Sequence, residues 1–267
     1  QINMLVDTIL ASLLPTGSPS WLYVSDRLMQ LPLGIFAIAI GTVILPRLSS
    51  LFITKDRIAF SNTLDWSMRL ILLISIPAVI GLVMLAEPII LTLFERGAFN
   101  SYDSLQASYS LIALAGGLVA FMLIKILTPS FFARQEPKKP MYVALISMVL
   151  NAVLAWLLGF NLGYGHVGLA LASSISAFFT AMTLLFLLKR EKIYESSKGW
   201  IVFWIRLGVA SIVLILFLVY FDKEVSDLRE FTNFGRMVYL LKMVILGIGL
   251  YLLALRLSGL RIKDFIN

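Results

Sequence analysis

The stretch Trp21-Leu22-Tyr23-Val24-Ser25-Asp26-Arg27-Leu28-Met29-Gln30-Leu31-Pro32-Leu33-Gly34-Ile35-Phe36, running on to Pro46, decides what kind of molecule this is. A hydrocarbon core about 30 Å thick is crossed by about 20 helical residues, and this run is longer than that and mostly apolar. A charge at the bilayer centre costs at least about 2.5–3.5 kcal/mol, so Arg27 needs a reason to be there. Projected at about 100° per residue, Tyr23, Gln30, Gly34, Ile38 and Gly41 fall within about 60° of Arg27, a polar and small-residue stripe. Such a stripe predicts a cavity or a neighbouring helix rather than lipid, with snorkelling toward the near interface as the competing reading. Asp26 points about 100° away and is not simply the partner of Arg27. Pro32 frees backbone carbonyls and permits a bend.

Outward from this stretch the chain keeps the same character. Of its 267 residues, 60% are hydrophobic and 14% charged, with mean hydropathy +0.93. A soluble domain is about 45–50% apolar and about 25% charged. The fold class is therefore all-α, a polytopic transmembrane helix bundle. Apolar stretches lie at 1–13, 21–46, 65–93, 105–133, 141–160, 166–188, 200–221 and 236–257. The first is too short to span, and the others are long enough. Pro15–Pro19, Glu136–Pro140 and Gly159–Gly165 supply helix stops between them. The short alternating segments of a β-barrel are absent. The opening Gln1-Ile2-Asn3-Met4, with neither an initiator methionine nor a signal-peptide pattern, reads as the interior of a longer protein cut within a helix.

Composition also removes whole classes of chemistry. With no cysteine, disulfides, thiolate metal sites and cysteine nucleophiles are excluded, and a lone His166 excludes a multi-histidine metal site. His166 reads as an interfacial residue. The net charge of +7 fits membrane topology and anionic headgroups better than nucleic acid. No cofactor is implied.

The charges sort by loop. One alternate set holds Arg47, Lys55, Arg57, Arg134, Lys138, Lys139, Lys189, Arg190, Lys192, Lys198, Arg256, Arg261 and Lys263. The opposite set holds Arg96, Lys223, Arg229 and Arg236, mixed with Glu95, Asp103, Asp222, Glu224, Asp227 and Glu230. The positive-inside rule makes the first set, and the C-terminus, cytoplasmic. The polar segment Thr54–Leu64 reads as a short surface helix on that side, with Thr54 as its N-cap. Arg69, paired with Asp65 four residues earlier, reads as a snorkelling cation, as do Arg206 and Lys242. Lys125 is a candidate for cavity lining, with Phe121, Thr128 and Phe132 on its face. Glu87-Pro88 marks a break near an outer helix end. Asn3 and Asp7, one turn apart, together with Asn151 form a candidate oxygen-ligand cation site, against a competing reading of inter-helix hydrogen bonding.

The stretch Ser25–Phe36, continuing through Gly41-Thr42-Val43-Ile44-Leu45-Pro46-Arg47-Leu48-Ser49, resembles the MurJ/MviN family, lipid II flippases within the multidrug/oligosaccharidyl-lipid/polysaccharide exporter superfamily. Ile2–Asp7, Leu93–Phe99 and Pro129–Gln135 resemble the same family in the same order. The resemblance implies fourteen helices arranged as two six-helix lobes around a cationic cavity, plus two extra helices. This chain is then the second lobe of a two-lobe exporter, from the end of helix seven to helix twelve (1–199), followed by two additional helices and a cytoplasmic tail (200–267). The N-terminal lobe is missing. The implied partners are lipid II or another polyprenyl-pyrophosphate-linked substrate and membrane lipids. The implied location is the bacterial cytoplasmic (inner) membrane, and the implied energy source is sodium or the membrane potential.

The substrate-binding candidates are Arg27, Asp26, Gln30, Tyr23 and Lys125, with Arg27 matching the functional arginine of the family's Asp-Arg pair and binding the pyrophosphate. The cation-binding candidates are Asp7, Asn3 and Asn151, with Ala155 standing where a second carboxylate would help. A cation-coupled drug or polysaccharide-lipid exporter of the same superfamily is the first alternative. A membrane-embedded lipid-phosphate enzyme is disfavoured, because its acid/base or metal-ligand clusters are not seen.

Overall fold

The computed structural model describes the backbone of residues 2–222 and 228–259, and the side chains of 7–36, 39–221 and 228–259. The side chains of Asn3, Ile38 and Asp222, and residues 223–227 and 260–267, including Lys223, Glu224, Asp227, Arg261 and Lys263, lie outside that description. The described chain is helical: α1 (Ile2–Ser12), α2 (Ser18–Pro32), α3 (Ala39–Ile53), α4 (Arg57–Met84), α5 (Ala86–Phe94), α6 (Ser101–Ala115), α7 (Leu118–Ala133), α8 (Lys138–Trp156), α9 (Gly165–Arg190), α10 (Trp200–Asp222) and α11 (Asn233–Leu257). π-Helical turns at Leu33–Ile38 and Leu157–Asn161 follow α2 and α8.

Five of the described helices are long and apolar enough to cross a membrane. Two further pairs, α2–α3 and α6–α7, are bent by 42° and 41° and bring the number to seven if each is one broken span. The expected seven long stretches are thus present, two of them as bent pairs.

Each bend has a local cause. Pro32 lacks an N–H, the Leu33 N–H reaches the Gln30 carbonyl only three residues back, and a π turn follows at Leu33–Ile38. The extra residue per turn also slips the helical phase, so the stripe expected to run from Tyr23 to Gly41 ends at Gly34. Gly41 instead packs on α7, where an added Cβ would lie 3.2 Å from the Lys125 carbonyl oxygen.

The expected surface helix at Thr54–Leu64 is not separate. Asp56, not Thr54, caps the N-terminus of α4 by accepting from the Ala59 N–H, and the polar residues form the first turns of that helix. Thr54 Oγ1 bonds back to the Ser50 and Leu51 carbonyls and closes α3. Residues 54–58 are exposed, while Ser61 and Thr63 further on are buried and hydrogen-bonded. Ser61 exchanges two bonds with the Glu195 backbone, and Asp65, 4% exposed, gathers five donors. These are Arg69 Nε (2.9 Å), Tyr194 OH (2.7 Å), Trp200 Nε1 (2.7 Å), Ser197 Oγ (2.5 Å) and Ser197 N–H (3.3 Å). Arg69 also stacks on Trp200 at 4.8 Å. Arg69 therefore does more than snorkel, since it belongs to a joint that fastens the 191–199 connection and α10 to α4.

The pair α10–α11 packs on α4 and α5 around Leu72, Leu85, Leu207, Leu214 and Met243. Besides the Asp65 joint, Tyr251 OH donates to the Leu73 carbonyl at 2.9 Å, and Arg229 pairs with Glu87 at 2.9 Å near the opposite end. The expected break near Glu87-Pro88 falls at Leu85.

The two sets of helix ends keep apart. On the basic side, Arg134 and Lys139 each bond Glu136 and Glu191. Burial alone pushes the Glu191 carboxyl up, but hydrogen bonds and charge from Lys139 and Arg134 outweigh it and hold it below the ordinary glutamate value. A depressed carboxylate stabilises the fold at neutral pH, and that contribution is lost as pH falls through the depressed value.

Removing the carboxylate of Asp65 leaves Arg69, Tyr194 and Trp200 without their shared acceptor. Asp65→Ala is expected to cost about 3–5 kcal/mol of stability. Denaturant unfolding of the purified full-length protein checks this, with Asp65→Asn falling between mutant and parent.

Candidate functional site

α2 has two faces, and the difference between them builds the site. Trp21, Val24 and Leu28 are buried with Ala86, Ile90, Ala107 and Leu111 of α5 and α6. Polar contacts fix the same face. Trp21 Nε1 donates to Asp103 at 2.9 Å, and Ser25 Oγ sits 2.8 Å from both its own Trp21 carbonyl and the Ala107 carbonyl of α6. Asp103 is itself held in a capping box with Asn100 at the start of α6. His166, expected at the interface, is instead buried at 7% exposure, bonded to Ser110 (2.6 Å) and Gln106 (3.0 Å) and edge-on to Trp21. Packing against three helices turns the opposite face of α2 outward.

That outward face borders a cleft of about 1420 Å³ between α1, α2, α7, α8 and α9. Of the expected substrate-binding residues, Tyr23, Asp26, Gln30 and Lys125 line it. Arg27 is not among the lining residues. It stands exposed at the edge of the same helix face, its guanidinium 4.9 Å from the centre of the Tyr23 ring. Gln30 Nε2 donates to Asp26 Oδ2. Helical projection centres the stripe on Arg27, whereas Tyr23, Asp26, Gln30 and Leu33 line the cleft.

Of the expected cation ligands, Asp7 and Asn151 line the cleft, and the Asn3 side chain lies outside the described residues. Asn151 is 1% exposed and donates to Ser173 Oγ at 3.1 Å. Ala155 is enclosed with Ala11, Leu169 and Ala172, an apolar pocket that offers no oxygen. Among the described residues no group of three His, Cys, Asp or Glu could hold a metal.

The opposite wall is polar in a way the charge-based reading passed over. Ser147, Ser173, Ser176 and Thr180 all line the cleft. On α9 the spacing Ser173, Ser176, Ala177, Thr180 is the three-to-four repeat of one helix face and was available as a signal.

α7 is aimed at the cleft by the break at Gly116-Gly117. The Gly117 N–H turns back to Leu114, which leaves the Ala113 carbonyl without its helical donor, and Ser174 Oγ of α9 donates to it at 2.7 Å. Gly117 must stay bare, because a Cβ there would lie 2.7–2.9 Å from Ser174. Two turns beyond this joint, Phe121, Ile124 and Lys125 enter the cleft.

A family model described as "Lipid II flippase MurJ" matches residues 1–254. A protein of Vibrio cholerae serotype O1, "Probable lipid II flippase MurJ", is 42% identical over 271 residues, covering 99% of this chain and 50% of its own. A protein of Haemophilus influenzae with the same description is 42% identical over 270 residues, covering 98% and 52%. The solved structure "Lipid II flippase MurJ, inward closed conformation" aligns with TM-score 0.79 and 30% identity, covering all of this chain and 52% of that one. An outward-facing multidrug resistance MATE family transporter aligns with TM-score 0.63 at 17% identity, a likeness of fold. The chain spans about half the length of the curated relatives it matches.

The α6–α7 joint makes two expectations. Gly117→Ala overpacks the contact and should cost about 1–3 kcal/mol. Ser174→Ala orphans a carbonyl inside the bundle and should cost about 1–3 kcal/mol. Thermal unfolding of the purified full-length protein reads both as lowered midpoints.

Proposed function

The chain belongs to the MurJ lipid II flippase family, and from that premise we propose that it forms one wall of a transporter moving lipid II across the bacterial inner membrane. In this reading residues 1–199 are the second lobe, 200–267 add two helices and a tail, and the uncovered half of its relatives' length supplies the first lobe. The basic loops and the C-terminus face the cytoplasm.

The observation that carries the reading is Arg27. It is an exposed guanidinium beside a large cleft lined in part by polar side chains in a membrane bundle, and among the described residues no salt bridge neutralises it. A pyrophosphate cannot cross hydrocarbon unaided, and the planar fork of an arginine matches phosphate oxygens two at a time. Lys125 of α7 adds a second cation to the lining of the cleft. Rocking of two lobes about the site exposes the head group to each side in turn while the polyprenyl tail stays in lipid. Asp7 and Asp26 in the same cleft favour a second reading, a cation-coupled exporter of drugs or polysaccharide-linked lipids.

Arg27→Ala in the full-length protein is expected to abolish growth of a flippase-depleted strain while the protein accumulates normally in the membrane. Losing a charge-assisted contact worth about 1.5–3 kcal/mol slows transport roughly 10- to 100-fold. Arg27→Lys keeps charge without the fork and rescues in part. Full growth with the alanine variant, or extrusion of a cationic dye in place of lipid II movement, refutes the assignment. For orientation, a fluorescent reporter that matures only in the cytoplasm should light up when fused to the C-terminus.

A further inference from the structure

A pyrophosphate site alone does not account for the cleft face of α2. Beside Arg27 stand Tyr23, 55% exposed with one ring face toward the guanidinium, and the Asp26–Gln30 pair one turn further on. The bond from Gln30 Nε2 to Asp26 Oδ2 fixes both groups against each other. The other Asp26 oxygen and the Gln30 carbonyl oxygen have no hydrogen-bond partner among the described residues, and both side chains line the cleft. Fixed carboxylate and amide acceptors beside an aromatic face suit a pyranose, whose hydroxyls donate to such oxygens and whose C–H face settles on the electron-rich ring.

Position supports the same chemistry. In a lipid-linked sugar the first pyranose is bonded directly to the phosphate, so a sugar subsite has to adjoin the phosphate site. Tyr23 and Asp26 flank Arg27 on the same helix, with the Tyr23 ring 4.9 Å from its guanidinium. Phosphate recognition by itself also leaves a problem of selection. A bare polyprenyl pyrophosphate presents the same oxygens to Arg27 as a sugar-loaded one, and only contacts beyond the phosphates separate the two.

We propose that Tyr23, Asp26 and Gln30 form a pyranose subsite that selects sugar-bearing polyprenyl pyrophosphates over the bare carrier. The proposal rests on the reading in which Arg27 holds the pyrophosphate.

The experiment measures binding of two probes to the purified full-length protein: a polyprenyl pyrophosphate carrying its amino-sugar disaccharide, and the same polyprenyl pyrophosphate without sugar. The parent protein should prefer the sugar-bearing lipid. Asp26→Asn and Gln30→Leu should each weaken binding of that lipid by about tenfold or more while the bare lipid binds no more weakly than to the parent, which also shows that the variants are folded. Arg27→Ala should weaken both. Equal weakening of both lipids by Asp26→Asn and Gln30→Leu would mean that the pair only tunes Arg27 and would overturn the subsite, as would no weakening of either. A parent protein that binds neither lipid overturns the flippase reading itself, and the subsite with it.

Discussion

A peptide carbonyl inside hydrocarbon has no water to turn to, and the shape of this bundle follows from that constraint. Straight helices satisfy it automatically. The two bent spans do not, and each carries a specific repair. Pro32 removes one bond, and a π turn redistributes the rest. At Gly116-Gly117 the Ala113 carbonyl is taken up by Ser174 of a neighbouring helix, which comes close enough only because residue 117 has no side chain. Both repairs border the cleft, so the bends that open the site exist only where other residues close the hydrogen-bond ledger.

The same reasoning explains how a polar helix face survives in the bundle. α2 is held by Trp21, Ser25, Val24 and Leu28, a face that combines burial with bonds to Asp103 and Ala107. With that face committed to α5 and α6, Tyr23, Asp26, Arg27 and Gln30 are left facing the cleft or its rim. The buried residues specify where the functional ones point.

Hydropathy, charge sorting and helix breakers made the bundle legible in the sequence, because burial in lipid imposes a length and a composition that a single chain displays openly. Three features were not legible. Helical projection assumed a constant turn and so carried the stripe past Pro32, where the π turn ends it. Thr54–Leu64 looked like a surface helix because polarity alone does not tell a solvated residue from a hydrogen-bonded one, and the partners of Ser61 and Asp65 lie far along the chain. His166 looked interfacial for the same reason, its partners Ser110 and Gln106 being on another helix. Tyr23, Asp26, Gln30, Lys125, Asp7 and Asn151 line one cleft, where the sequence separates the first four from the last two as two candidate sites. The serine and threonine wall of α8 and α9 was overlooked because uncharged hydroxyls do not stand out against an apolar background.

The Asp65 joint has a consequence for how the protein is made. Asp65 and Arg69 leave the ribosome before Tyr194, which shares that carboxylate and follows 129 residues later in the chain. At about 5–20 residues per second the ribosome takes roughly 6–26 s to cover that interval. During that time the two charges have chiefly each other, while α5 to α9 enter the membrane. Arrival of Tyr194, Ser197 and Trp200 then locks the first long helix to the last pair, which makes this joint a late checkpoint in assembly. A nascent chain stalled before residue 194 would hold the Asp65 carboxylate with Arg69 alone of its five donor groups.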